Sequence, residues 1–348
     1  MPFLRFLPWE LFPFYFISPV NYSKKDKMYS PFSGVEVNGW ILPLLGVTAG
    51  ATSGFWGVGG GWVITPALFI LGLPMNLAIG TSLSFIYAQG IISSLKHREM
   101  GNINFPVGFL ILIGMIPSVE LGVRTVDFLT RKGNVDTFLG YFYIFFLFLI
   151  FLLTFKESYN AKKRKEEITF SLKDKCFLLR MPPILKLSGE EYSLWSILIT
   201  GMLGGFFSGL LGIGGGILYL PLMVYVLGLP TKTAVGTSLF NTVLAGVFGT
   251  FSHAYQGNVD LLYGLLLLFG GVIGARLGAL ATKYTTGANI RFLFSLGVGA
   301  TCLAVLLKML QAFWASFSLI MGVAGGMSIV VIYYLIKGKY GKGLHKLG

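Results

Sequence analysis

The sequence predicts an all-α polytopic membrane protein made of two inverted repeats with broken helices, about eight to ten membrane elements in all. Three observations predict it: long apolar runs, a glycine-rich pattern that occurs twice, and basic clusters confined to the stretches between spans.

The apolar runs come first. Of 348 residues, 54% are hydrophobic and 12% charged, where an ordinary soluble domain has roughly 25% charged residues. Mean hydropathy is +0.74. Stretches such as 141–155 with its flanks, 261–275 and 313–336 approach or exceed the ~20 residues that cross a hydrocarbon core. The net charge of +13 concentrates between Lys156 and Lys186 and in the tail KGKYGKGLHK. Clusters placed there orient and anchor a membrane protein, so the expected partner is the lipid bilayer, with no nucleic acid; the glycine breaks below add a small anionic substrate. A homodimer stays open.

The N-terminal stretch MPFLRFLPWELFPFYFISPV is aromatic but interrupted by Arg5, Glu10 and four prolines. It lacks the features of a signal peptide, and residues 1–39 read as an interfacial segment. A first repeat at 40–155 holds apolar elements near 41–57, 62–73, 77–94, 104–122 and 137–155. Residues 156–193 form a basic loop. The second repeat at 194–309 holds elements near 194–212, 217–228, 233–252, 260–281 and 291–309. An extra helix near 314–336 and a basic tail complete 310–348.

The duplication rests on register. A shift of 155 residues carries Gly46, Gly50, Ser53, Gly54, Gly57, Gly59 to Gly61 and Pro66 onto Gly201, Gly205, Ser208, Gly209, Gly212, Gly214 to Gly216 and Pro221. One insertion later, GLPMNLAIGTSL (72–83) meets GLPTKTAVGTSL (228–239), and HREMGNIN meets HAYQGNVD. With the central loop and C-terminus cytoplasmic, the loop carrying Lys96 and Arg98 lies inside. Its counterpart, Ser252 to Asp260, has no Lys or Arg and falls outside. Equivalent loops on opposite faces mark an inverted repeat. The same count puts the N-terminus outside despite Lys24, Lys25 and Lys27.

Two glycine patterns need separate readings. Gly46, Gly50 and Gly54, like Gly201, Gly205 and Gly209, recur every fourth residue, the spacing that lets another helix backbone approach closely. Gly59, Gly60, Gly61 and Gly214, Gly215, Gly216 instead break a helix between two short apolar pieces. Unwound backbone at membrane depth is either packed in protein or lines a cavity, and its N–H groups can hold an anion. The doubled occurrence favours a ligand over a packed kink. The GTSL segments add Thr81, Ser82, Thr237 and Ser238, whose hydroxyls either bond back to a carbonyl one turn earlier or complete a neutral donor cage. Asn241, one turn past Thr237, could join it. Arg276 is read three ways: paired with Glu120, snorkelling to an interface, or lending charge to an anion path. Glu120 also stands four residues before Arg124, a helical ion-pair spacing. His97 and His253 end their helices as satisfied interfacial residues, or as proton relays or substrate contacts.

Enzyme signatures are missing. GVGGG is not followed by the Lys-Ser/Thr pair of a phosphate-binding loop, and three His with Cys176 and Cys302 offer no metal spacing. No enzyme activity, cofactor or metal is expected.

At GATSGFWGVGGGWVITPAL with GLPMNLAIGTSL, and GGFFSGLLGIGGGILYLPL with GLPTKTAVGTSL, the chain resembles the sulfite exporter TauE/SafE family of membrane permeases. GVIGARLGA at 271–279 adds to the likeness, which covers about residues 40–309. The first half departs from it at Glu120, where similarity to Arg276 would place an arginine. The resemblance implies a multi-pass permease of the cell (inner) membrane that moves sulfite, sulfonates or thiosulfate. An anion channel and a non-transporting scaffold are the alternatives.

Overall fold

The structure, a computed structural model, describes residues 27–164 and 181–344. Most of the expected interfacial segment, Cys176 and the middle of the basic loop lie outside the described residues. Eleven helices are present among those described: α1 (Ile41–Trp56), α2 (Gly61–Ile70), α3 (Met75–Glu99), α4 (Phe105–Arg131), α5 (Val135–Arg164), α6 (Leu194–Leu211), α7 (Gly216–Pro221, running on as a wider turn over Leu222–Val226), α8 (Thr231–Tyr255), α9 (Leu261–Thr282), α10 (Gly287–Met309) and α11 (Phe313–Leu344). Eight are long and apolar enough to cross a membrane. Two short hairpins, β1 (Lys27–Tyr29) with β2 (Glu36–Asn38) and β3 (Ile184–Leu187) with β4 (Glu190–Ser193), lie outside the spans. α5 outruns its expected end at 155 because SYNAKKR contains good helix formers and no breaker.

Local chemistry sets the helix starts. Asn104 accepts the Val107 N–H at 3.2 Å and Asp260 the Tyr263 N–H at 3.0 Å, each satisfying one orphan donor of a helix N-terminus. These caps are repeat equivalents. Pro66 lies inside α2, and Pro221 marks where α7 widens, since proline cannot donate to the turn before it.

The glycine faces then set the packing. α1 lies along α9, with Gly46, Gly50 and Gly54 against the backbone at Leu267, Gly271 and Ala275. In the same way α6 lies along α4, with Gly201, Gly205 and Gly209 against Ile111, Met115 and Val119. Each helix therefore pairs across the repeats, and the two units interlock. At the centre α3 and α8 run antiparallel: Leu83 faces Gly249, Tyr87 faces Gly246 and Gly90 faces Val243. α5 and α10 are antiparallel as well, Gly140 facing Met309 and Gly299 facing Phe151. Phe145, Phe269 and Ile329, at 63%, 74% and 68% exposed, project outward, as a lipid-facing surface requires.

Candidate functional site

Each short helix turns back on the longer one before it. Gly57, Gly59 and Gly60 have φ of 74°, 81° and 76°, and Gly212, Gly214 and Gly215 have 68°, 68° and 75°. Side-chain-bearing residues enter this left-handed region only with strain. The first glycine ends α1 or α6; the third starts α2 or α7. The hairpins are tight: a Cβ on Gly60 would lie 2.6 Å from the Ala49 carbonyl oxygen, and one on Gly215 2.5 Å from that of Gly204.

The two loops meet. Gly61 packs on Gly212 and Ile213, and Gly216 on Val58. Both loops also touch the same two side chains, Ile86 of α3 and Thr242 of α8, themselves repeat equivalents. The contact is closed, since a Cβ on Gly214 would stand 2.6 Å from the Thr242 Cγ2. A ligand held between the loops therefore requires them to part.

The four hydroxyls expected as cage donors all have backbone partners. Thr81 Oγ1 accepts the Asp260 N–H at 2.8 Å, and Thr237 Oγ1 accepts the Asn104 N–H at 2.9 Å. Ser82 donates to the Gly212 carbonyl at 2.9 Å, and Ser238 to that of Gly57 at 2.5 Å. All four bonds join one repeat to the other. The GTSL segments thus tie the loops and helix caps down. His97 and His253 take a role beyond either reading offered above. Each is buried, with Nε2 2.9 Å from the carbonyl of Gly54 or Gly209. A carbonyl only accepts, so each ring donates from Nε2 and satisfies a carbonyl orphaned where α1 or α6 breaks. We expect His97→Ala and His253→Ala each to lower stability by about 1–3 kcal/mol, the cost of leaving a buried carbonyl unpaired. Thermal unfolding in detergent measures it, and unchanged melting in both would mean that these bonds do not form.

The two ends of the break differ in polarity. The carbonyls of Gly54, Phe55 and Gly57, and of Gly209 and Gly212, accept side-chain donors. The N–H groups of Val58, Gly59 and Gly60, and of Ile213, Gly214 and Gly215, have no acceptor among the described residues. All six residues are buried. Six buried N–H groups in the two loops are thus without a partner, whereas the carbonyls of Gly57, Gly59, Gly60, Gly212 and Gly215 are paired.

Arg276 does not belong to this centre. It is exposed on the outward face of α9, between Ile273 and Leu277. Glu120 pairs instead with Arg124 at 2.8 Å and accepts from Ser252. The helix period explains the outcome: Gly274 and Gly278 turn inward against α1, which turns Arg276 outward. Asn241 is buried but donates to Thr237 in its own helix at 3.0 Å and lies against Gly108 of α4. Sequence reasoning missed Ile86, Gln89 and Thr242. Their signal was helical spacing from the serines: 82, 86 and 89 share one face of α3, as 238 and 242 share one of α8.

A model of the sulfite exporter TauE/SafE family matches residues 42–309, both glycine loops included. The chain belongs to the TauE/SafE family. It is similar to the probable membrane transporter protein YunE of Bacillus subtilis, 31% identical over 252 residues, 69% of this chain and 86% of that one. A probable membrane transporter of Methanocaldococcus jannaschii is 27% identical over 286 residues, 77% and 96% of the two chains. One from Haemophilus influenzae is 29% identical over 251 residues, covering 70% and 84%. No solved structure matches the chain. This TauE/SafE protein is thus a multi-pass membrane protein from a family of probable transporters.

Proposed function

We propose that the chain is a secondary transporter for a small sulfur-containing anion (sulfite, a sulfonate or thiosulfate), held between the two glycine loops. The observation that carries this reading is the set of unmatched N–H donors at Gly59, Gly60, Gly214 and Gly215, buried beside carbonyls that are already satisfied. Gly61 and Gly216 keep the loops in contact, and Thr81, Ser82, Thr237 and Ser238 hold them in place. Asn241 supports α8, and Arg276 stays at the surface. Sulfur enters from the family's description; the donors themselves suit any small oxyanion.

The working unit is two inverted repeats, 40–155 and 194–309, flanked by an interfacial segment at 1–39, a cytoplasmic loop at 156–193 and an extra helix with a cytoplasmic tail at 310–348. Antiparallel pairing of the equivalent helices α3 with α8, and α5 with α10, supports this arrangement. A two-fold axis that exchanges antiparallel spans lies in the membrane plane. The two hairpins then enter from opposite faces, and parting them on one side at a time exposes the site alternately.

Thermal unfolding of the purified protein against sulfite, methanesulfonate, thiosulfate, sulfate, chloride and small carboxylates tests the reading. Ligand that binds only the folded state raises Tm by mass action, by about 2.7 kcal/mol of stabilisation at a hundred times Kd. A selective rise with one sulfur anion, together with counterflow in proteoliposomes, is expected. Conductance across a bilayer without counterflow would indicate a channel, and no shift and no flux would leave the glycines a packing role alone.

A further inference from the structure

Among the buried polar atoms without partners are Thr242 Oγ1, Gln89 Oε1, Asn241 Oδ1 and Ser208 Oγ, each in a fully buried residue. Two of them adjoin the same glycine. The Thr242 side chain packs on both Gly59 and Gly214, and the Gln89 amide donates from Nε2 to the Gly59 carbonyl at 3.1 Å and to Ser53 Oγ at 2.8 Å. The amide orientation is chemically forced. A flip would set Oε1 against the Gly59 carbonyl, two acceptors face to face. Gln89 therefore presents an acceptor that nothing in the protein uses. The centre is also asymmetric where the backbone is not: Ile86 and Gln89 of α3 stand where α8 has Thr242 and Ala245.

We infer that Gln89 and Thr242 select the substrate, and that the anion they select carries one proton. The inference rests on the anion-transporter reading above and narrows it. Backbone N–H groups and the Thr242 hydroxyl supply donors to oxyanion oxygens. The Gln89 Oε1 can only accept, so a bound ligand satisfies it only by donating an O–H. A singly protonated oxyanion such as hydrogen sulfite matches both sets. A sulfonate or thiosulfate, with no proton near neutral pH, leaves a buried acceptor unpaired, and a site built to receive an O–H rejects analogues that lack it.

The test compares sulfite with methanesulfonate in proteoliposomes holding the full chain, after subtraction of flux into protein-free vesicles. Wild-type sulfite flux is expected to rise as the external pH falls through the range where sulfite takes up its proton. Methanesulfonate flux should be at least about tenfold lower and flat in pH. Gln89→Met keeps the length and removes the acceptor, together with the Nε2 donor to Ser53 and the Gly59 carbonyl; it should flatten the sulfite profile and bring the two anions within about threefold. Thr242→Val should slow sulfite about tenfold while keeping the profile. A folded, transporting Gln89→Met with the wild-type ratio and pH slope would overturn the inference. Should that variant fail to fold, wild-type sulfite uptake that is flat in pH and competed equally by methanesulfonate overturns it. Wild-type protein that moves neither anion sinks the parent reading instead, and this one with it.

Discussion

Gly50→Leu and Gly205→Leu are each expected to leave almost no folded protein in the membrane. Glycine here answers to space, because both positions are helical without positive φ. A Cβ on Gly50 would lie 2.9 Å from the Ala275 nitrogen, and one on Gly205 2.9 Å from the Met115 Cα. These neighbours are backbone, so relief requires α1 to leave α9, or α6 to leave α4, along the whole contact. Inserting single methylenes into a packed interior costs about 1–3 kcal/mol. A leucine against backbone exceeds that and falls in the range above about 4 kcal/mol that is diagnostic of core disruption. Gly322→Leu on α11 is the control. Nothing lies within 4 Å of a Cβ there, and its stability should stay within about 0.5 kcal/mol of wild type. Yield after gel filtration and Tm in detergent decide the matter; wild-type behaviour of Gly50→Leu would mean that α1 and α9 do not touch.

The second large effect concerns transport. Gly61→Ala and Gly216→Ala should each cut flux by about ten- to a hundredfold while the protein still folds. Neither residue has positive φ, so alanine brings no backbone strain and acts at the loop-to-loop contact. Its methyl group would stand 2.9 Å from the Ile213 Cα in one variant and 2.6 Å from the Val58 carbonyl carbon in the other. Holding the loops apart by some tenths of an ångström costs about 1–3 kcal/mol in the closed state, and each 1.4 kcal/mol is a factor of ten in its population. Both methyl groups open the same contact, so the double variant should lose less than the product of the single losses. Flux measured beside Tm separates this from unfolding. Normal flux in both variants would show that the loops need not meet during the cycle. By contrast Gly60 and Gly215, which need positive φ and sit on the carbonyl of the preceding helix, should lose stability and transport together.

Hydropathy and register made the membrane class, the duplicated unit and the positions of both breaks legible from the chain alone. Each is local chain chemistry: an apolar run must find lipid or protein, and a triple glycine does not sustain a helix. Spacing likewise marked Gly46 to Gly54 and Gly201 to Gly209 as close-approach faces, but could not name α9 and α4 as their partners. That choice depends on which helices the interlocked repeats bring side by side.

Only the tertiary structure decided what the polar residues do. Thr81, Ser82, Thr237 and Ser238 are hydroxyls in helices from the sequence alone. Folding sets each against an orphan group of the opposite repeat, because a helix broken inside the membrane has no water to satisfy its ends. His97 and His253 take the carbonyls of Gly54 and Gly209 for the same reason. Arg276 lay within a glycine-rich helix, and the face it occupies follows from which side of α9 meets α1. Gln89 and Thr242 carried no motif at all. Their partnerless atoms become visible only once the side chains packed around Gly59 are in place. Chain chemistry determined where the helices must break, and the packing of one repeat through the other decided which donors were left without a partner.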